Sequence, residues 1–320
     1  MSLAIETINL TRRYGGLLAL DRLNLHVTEG SIYGFIGPNG AGKTTTLRML
    51  AGLLEPTSGE IRVLGQAVQA GGSHLRRLIG YMPDVLGVYD DLRVWEYLDF
   101  FAQCYGIETA RRRRAVDELL NLVDLSSKRQ TFVQNLSRGM QQRLGLAHAM
   151  VHNPAVLILD EPASGLDPRA RVELRELIRT LSEMGKTILL SSHILSELAE
   201  LCTEIGIIDG GRLIVSGPVA AVRRELTSDH ALHIRVLGDP EAAITVLRTL
   251  PARPDLPTVR QVAPDTSDPR RLRVELTASS EEQEAALLAF LLAHGVLVSD
   301  YSFQAENLEE LFLRVTANGG

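Results

Sequence analysis

The chain has 320 residues, 45% of them hydrophobic and 22% charged, and a formal net charge of −6. This length admits two domains and a substantial core, and the acidic balance gives no support to a nucleic-acid binder, whose domain is usually basic. The two cysteines, Cys104 and Cys202, fall in helical, apolar surroundings, which reads as reduced core thiols of a cytosolic protein and not as a disulfide scaffold.

Leu3–Leu10 alternates apolar and polar residues and reads as a strand, and Leu18–Val27 offers a second. Ser31–Ile36 reads as a buried strand that feeds Gly37-Pro38-Asn39-Gly40-Ala41-Gly42-Lys43-Thr44, and Thr45–Leu50 reads as the helix leaving it. Strand, glycine loop and helix in that order are the context that a G-x-x-x-x-G-K-[ST] phosphate loop requires. Gly37, Gly40 and Gly42 let the backbone curl so that successive N–H groups converge on phosphate oxygens. The start of the helix adds its positive dipole end. Lys43 is expected to reach the β- and γ-phosphates, and Thr44 to offer its hydroxyl to Mg²⁺. Gly37 to Thr45 are therefore the expected contacts of a bound nucleoside triphosphate.

Ile79–Met82 is a short apolar strand, after which Leu92–Tyr105 turns to helical spacing with Val94, Leu98, Phe101 and Tyr105 on one face. Arg111–Leu125 continues as helix. Its basic run Arg111–Arg114 is followed by Asp117 and Glu118, so it reads as a solvated face. Residues 85–150 thus look like a mainly helical insert. Leu136-Ser137-Arg138-Gly139-Met140-Gln141-Gln142-Arg143 opens a further helix, and Val156–Leu159 is a buried strand ending in Asp160 and Glu161. A carboxylate at Asp160 suits a holder of Mg²⁺ through its waters. Glu161 stands where it could orient or deprotonate an attacking water. A helix at Arg169–Met184, a strand at Thr187–Leu190, a helix at Ile194–Cys202 and a hairpin across Asp209-Gly210-Gly211 complete this part.

Past Arg224, strands are expected at His230–Leu237, Val259–Val262, Arg271–Leu276 and Val296–Phe303, with helices at Pro240–Leu250 and Ser280–His294. That βαββαβ order suggests a small ferredoxin-like domain, closed by a helix at Asn307–Val315. No titratable cluster or glycine loop marks it for chemistry.

The segment Leu136–Arg143 resembles the L-S-G-G-Q signature of ATP-binding cassette (ABC) ATPases, with Arg138 and Met140 interrupting it while Ser137, Gly139 and Gln141 or Gln142 keep its polar character. Ser164-Gly165-Leu166-Asp167 is similar to the family's D-loop, His193 to its switch histidine, and Tyr14 to the aromatic residue that stacks on adenine. Asp84, in Gly80-Tyr81-Met82-Pro83-Asp84, stands where the family usually has glutamine touching Mg²⁺ and water. An aspartate there can still coordinate through oxygen.

The resemblance implies an α/β phosphate-loop fold over residues 1–222, with a helical subdomain at about 85–150, and an α+β accessory domain over 223–320. It implies ATP and Mg²⁺ as cofactors, with Thr44, Asp84 and Asp160 near the metal, and Lys43, Glu161 and His193 in catalysis. Ser137, Gly139 and Gln141 would meet the ATP of a second copy, because the chain has one of each motif and an isologous dimer completes two sites.

Val88-Tyr89-Asp90-Asp91, Trp95-Glu96-Tyr97, Ser191–Glu197 and Leu308-Glu309-Glu310-Leu311-Phe312 resemble ABC-2 type exporter ATPases of the multidrug class. Such subunits serve a separate membrane permease from its cytoplasmic face. That fits a chain in which no apolar run approaches the roughly eighteen residues of a membrane span and whose N-terminus does not read as a secretory signal. The implied job is export of a drug, lipid or glycan, with no nucleic-acid partner. The other reading, a soluble ABC ATPase acting on DNA or ribosomes, would need a long coiled coil between Lys43 and Ser137, or two cassettes in one chain.

Overall fold

The computed structural model describes residues 2–68, 75–85, 87, 91–194, 198, 200–226, 230–251, 253–265, 268, 270–277 and 279–303. Near-continuous apolar runs form its central sheet, as strands covered on both faces must. These are β4 (Ile32–Ile36), β7 (Ile79–Met82), β8 (Val156–Leu159) and β9 (Thr187–Ser192), joined by β10 (Glu204–Asp209) and β11 (Arg212–Pro218). The strand order is β11-β10-β4-β9-β8-β7, parallel throughout except for the β10–β11 hairpin. Parallel pairing has a functional consequence. It brings the C-terminal ends of β4, β7, β8 and β9 to one edge of the sheet, where open α/β sheets bind ligands.

A second, antiparallel sheet is built on β1 (Leu3–Tyr14), which pairs with β2 (Leu17–Leu23), β3 (His26–Thr28) and β5 (Ser58–Val63); β6 (Gln66–Ala67) pairs with β5. The expected single strand at Leu18–Val27 is thus two. Arg22 takes a φ of 48°, and the Asn24 side chain accepts from the Asn9 N–H at 2.8 Å, so the chain breaks between Leu23 and His26. Both sheets share one core around Phe35, Leu47, Leu50, Ile158 and Leu189.

α1 (Lys43–Leu50) leaves β4, and the short α2 (Leu75–Leu78) leads into β7. α3 (Val94–Cys104), α4 (Thr109–Leu122) and α5 (Arg138–Met150) form the helical insert. α3 and α5 are zipped by aromatic stacking, Phe101 on His148 at 3.8 Å and Tyr97 edge-on to His148 at 5.6 Å. Of the basic run on α4, Arg111 and Arg114 are exposed, while Arg112 turns inward to Asp99 at 3.0 Å. Cys202 is buried as expected. Cys104 is exposed, because α3 buries Val94, Tyr97, Leu98 and Ala102 and turns position 104 away from them.

The chain divides into two compact units, Met1–Val219 and Ala220–Asn318. In the second, β12 (His230–Val236), β13 (Val259–Pro264), β14 (Arg271–Leu276) and β15 (Val298–Phe303) stand in the order β13-β14-β12-β15, with every adjacent pair antiparallel. Helices Pro240–Arg248 and Glu281–Ala293 make the two crossovers, and Leu232, Ile234, Leu247, Leu272, Val274, Leu287 and Leu291 fill the core beneath them. This is the ferredoxin-like arrangement. The helix expected at Asn307–Val315, the segment Leu308–Phe312, and residues 195–197 and 199 of the helix expected at Ile194–Cys202 lie outside the described residues, as do Val88–Asp90. No helix among the described residues is long and apolar enough to cross a membrane.

Candidate nucleotide site

The glycine loop turns tightly between β4 and α1. Gly42 holds a φ of 108°, and a Cβ there would lie 2.7 Å from Leu20 Cδ2 and 2.9 Å from the Ala19 carbonyl oxygen. A Cβ on Gly37 would lie 2.4 Å from the Ile208 carbonyl oxygen. Side chains at either position would push the loop off the sheet. The Gly37 N–H donates to the Ser192 carbonyl at 3.3 Å, tying the loop to the end of β9. Gly42 offers no side-chain cap to α1, so the first turn of that helix presents its N–H groups toward the loop.

Lys43 is only 6% exposed. Its Nζ donates to the carbonyls of Gly37 at 2.6 Å and Pro38 at 3.3 Å, and stands 3.3 Å from Glu161 Oε1. The ammonium is thus held at the mouth of the loop, aimed across the sheet edge at the end of β8.

Asp160 is buried, and its Oδ1 accepts from Thr44 Oγ1 at 3.2 Å and Ser191 Oγ at 2.8 Å. Its N–H donates to the Met82 carbonyl at 2.8 Å, fixing the end of β8 to β7. Burial pushes the Asp160 carboxyl above its usual range; the two hydroxyl donors pull it down, and the nearby carboxylates of Glu161 and Asp84 push it up again. Glu161 sits at a φ of 47°, its N–H donating to Ser191 Oγ at 2.9 Å. Its carboxylate is suspended between Lys43 and His193, with Oε2 2.9 Å from His193 Nδ1. The Asp84 carbonyl accepts from Gln142 Nε2 at 3.4 Å, while its buried Oδ1 has no hydrogen-bond partner among the described residues.

Tyr14, Pro38, Asn39, Gly40, the stretch from Gly42 to Thr45, Asp84, Glu161 and His193 line one cleft of about 460 Å³, while Gly37, Ala41 and Asp160 lie behind its surface. Tyr14 is 44% exposed and its ring carries the Arg12 guanidinium 4.5 Å from the centroid, an amphipathic face suited to a planar base. Ser137 and Gly139 are elsewhere. They line a separate hollow of about 220 Å³ with Gly165 and Asp167, and Gln141 lines neither. Ser137 caps α5, its Oγ accepting from the Met140 N–H at 3.4 Å. Asp167 caps α6 (Pro168–Glu183), accepting from the Ala170 N–H at 2.9 Å.

Sequence reasoning assigned no role to Ser191, whose hydroxyl serves both acids at once; Ser164, read there as the start of the D-loop, lines the cleft beside Glu161. The local signal for Ser191 was faint, a polar pair closing an apolar strand.

A glycine loop at a helix start, a buried lysine facing it, and an acid pair closing the parallel strand one removed in the same sheet define a phosphate-loop nucleoside triphosphatase. A family model described as "ABC transporter" matches residues 20–164. The chain is 34% identical over 317 residues to the Nod factor export ATP-binding protein I of Cupriavidus metallidurans, covering 99% of this chain and 98% of that protein. It is 31% identical over 313 residues to the linearmycin resistance ATP-binding protein LnrL of Bacillus subtilis, covering 98% of each. To the bacitracin transport ATP-binding protein BcrA of Bacillus licheniformis it is 45% identical over 219 residues, 68% of this chain and 71% of the relative. Among solved structures, an ATP binding subunit of an ABC transporter superposes with a TM-score of 0.64 at 32% identity, covering 70% of this chain and 93% of that one. A dimeric bacterial ABC transporter cassette gives 0.62 at 26% identity, covering 67% and 98%.

The chain belongs to the ATP-binding subunits of ABC transporters. It binds ATP, and its enzymatic activity is ATP hydrolysis coupled to transport.

Proposed function

We propose that this chain powers export of a drug, lipid or glycan-like cargo through a separate integral-membrane permease of the ABC-2 type, from the cytoplasmic face of the cell membrane. Two copies close on two ATP molecules, each cleft being completed by Ser137 and Gly139 of the other copy. The observation that carries this reading is the separation of the two hollows. One copy holds the phosphate loop, acids and histidine in one cleft and the signature segment in another. The near full-length similarity to a Nod factor export protein and a linearmycin resistance protein supports an exporter.

Within the cleft, the loop N–H groups and Lys43 bind the phosphates and take up charge as the terminal phosphoryl group transfers. Glu161 orients the attacking water and accepts its proton. His193 holds the Glu161 carboxylate through the 2.9 Å contact and meets the γ-phosphate. Tyr14 stacks on the base. The donor set fits Mg²⁺: the Thr44 hydroxyl, the Asp160 carboxyl that burial and then neighbouring acids push up, and the Asp84 Oδ1 that has no partner among the described residues are all oxygen ligands of the kind this ion takes. Bound there, the ion would neutralise phosphate charge. ATP adds contacts across the two copies that ADP lacks, so binding favours the closed pair and hydrolysis releases it.

Affinity purification of the tagged chain from detergent-solubilised membranes of its own cell is expected to bring down a multi-span membrane chain that stimulates its ATPase. Recovery without such a chain, with hydrolysis stimulated by ribosomes or DNA instead, would establish the soluble alternative.

A further inference from the structure

The hollow that holds Ser137 and Gly139 contains three guanidinium groups. Arg143 is committed to Asp124 at 3.2 Å and Glu173 at 3.9 Å, and Arg169 to Glu173 at 3.0 Å. Arg138 has no hydrogen-bond or ion-pair partner among the described residues. It is exposed, and it is seated. Its guanidinium lies directly over the backbone of Gly165, where a Cβ would come within 2.4 Å of Cζ and 2.5 Å of Nη1. Gly165 has a φ of 66°, a backbone conformation that favours glycine, and the bare backbone forms the shelf on which the cation rests.

The seat also sets the direction of charge. Arg138 is the first residue of α5, and the N-terminus of α6 opens beside it, so an unpaired cation stands among two positive helix ends with no carboxylate engaged. Met140 carries no donor. The donors offered from positions 137–140 are therefore the Ser137 hydroxyl, the backbone N–H groups and the five-donor fork of Arg138. A fork of that kind is matched to phosphate oxygens.

We propose that Arg138 acts as a catalytic residue in trans, contacting the terminal phosphate of the ATP held in the cleft of the second copy. This rests on the paired-copy reading above. In the step it serves, the water oxygen bonds to the γ-phosphorus while the bond from that phosphorus to the β–γ bridging oxygen breaks. The electron pair leaves on ADP, the water proton goes to Glu161, and Arg138 exchanges no proton. Its fixed charge stabilises the equatorial oxygens as charge gathers on them.

Three measurements test this. Arg138→Ala is expected to keep its thermal midpoint and its ATP affinity while kcat falls on the order of a hundredfold, with Arg138→Lys recovering only part because an ammonium lacks the fork. A mixture of Arg138→Ala with Glu161→Gln, each slow alone, is expected to give a single-turnover phosphate burst, since one of its two sites combines an intact Glu161 with an intact Arg138. A wild-type kcat in Arg138→Ala overturns the proposal, and so does a mixture without a burst when native chain mixed with Glu161→Gln gives one. Failure of the paired-copy reading itself is distinguishable, because it shows in the native chain alone as a rate per chain that dilution does not change.

Discussion

Glu161→Gln is expected to bind ATP as the native chain does and to lose turnover by on the order of a hundredfold or more. The amide keeps the shape of the side chain, and Gln at a φ of 47° is no more strained than Glu, so the end of β8 and the hydrogen bond from residue 161 N–H to Ser191 Oγ should persist. What disappears is the proton acceptor that stands between Lys43 at 3.3 Å and His193 at 2.9 Å. With hydrolysis blocked and binding intact, ATP should hold the variant as a pair of copies, visible as a shift in sedimentation that ADP does not produce. Hydrolysis near the native rate would remove Glu161 from the chemical step and leave the acid pair with a purely structural role.

Lys43→Ala is expected to act earlier. The ammonium is the one side-chain cation placed inside the phosphate loop, and a charge-assisted hydrogen bond of this kind contributes about 1.5–3 kcal/mol. Calorimetric titration should therefore show ATP affinity lower by roughly tenfold to a hundredfold, with hydrolysis lost in proportion or more. Removing Nζ also frees the Gly37 and Pro38 carbonyls that it now satisfies, and the Glu161 carboxylate it faces. Circular dichroism and the thermal midpoint should accordingly be read beside the titration. An unchanged affinity in a folded variant would refute the phosphate-loop assignment.

Much of this site could be read along the chain because its chemistry is local. The glycine loop declares itself through eight consecutive residues and the strand before them. Asp160 and Glu161 stand out as two acids closing an all-apolar strand. The βαββαβ order of the second unit was equally legible, since its strands and helices differ in apolar period. Elements that depend on distant pairing were not.

Ser191 reaches Asp160 only because Leu190 is in register with Leu159 in the parallel β8–β9 ladder, a pairing that no local pattern announces. β5 was missed because Ser58, Gly59 and Glu60 are exposed, and its position is set by pairing with β1. The role of Gly165 as a shelf for Arg138 is likewise a contact across 27 positions of sequence, invisible until α5 and the start of α6 are placed side by side. Asp84 marks a limit of a different kind. Its replacement of glutamine was plain in the sequence, but its unpartnered buried oxygen beside Asp160 and Glu161 became visible only in three dimensions.

That one copy holds only half of each working site is tested most directly by the native chain itself. Specific ATPase activity should be followed across a dilution series, with sedimentation of the same samples in ATP. The rate per chain is expected to fall as the paired form dissociates, in direct proportion to the chain concentration when pairs are scarce. A rate per chain that stays level where sedimentation finds single copies alone would contradict the division of the site between two chains.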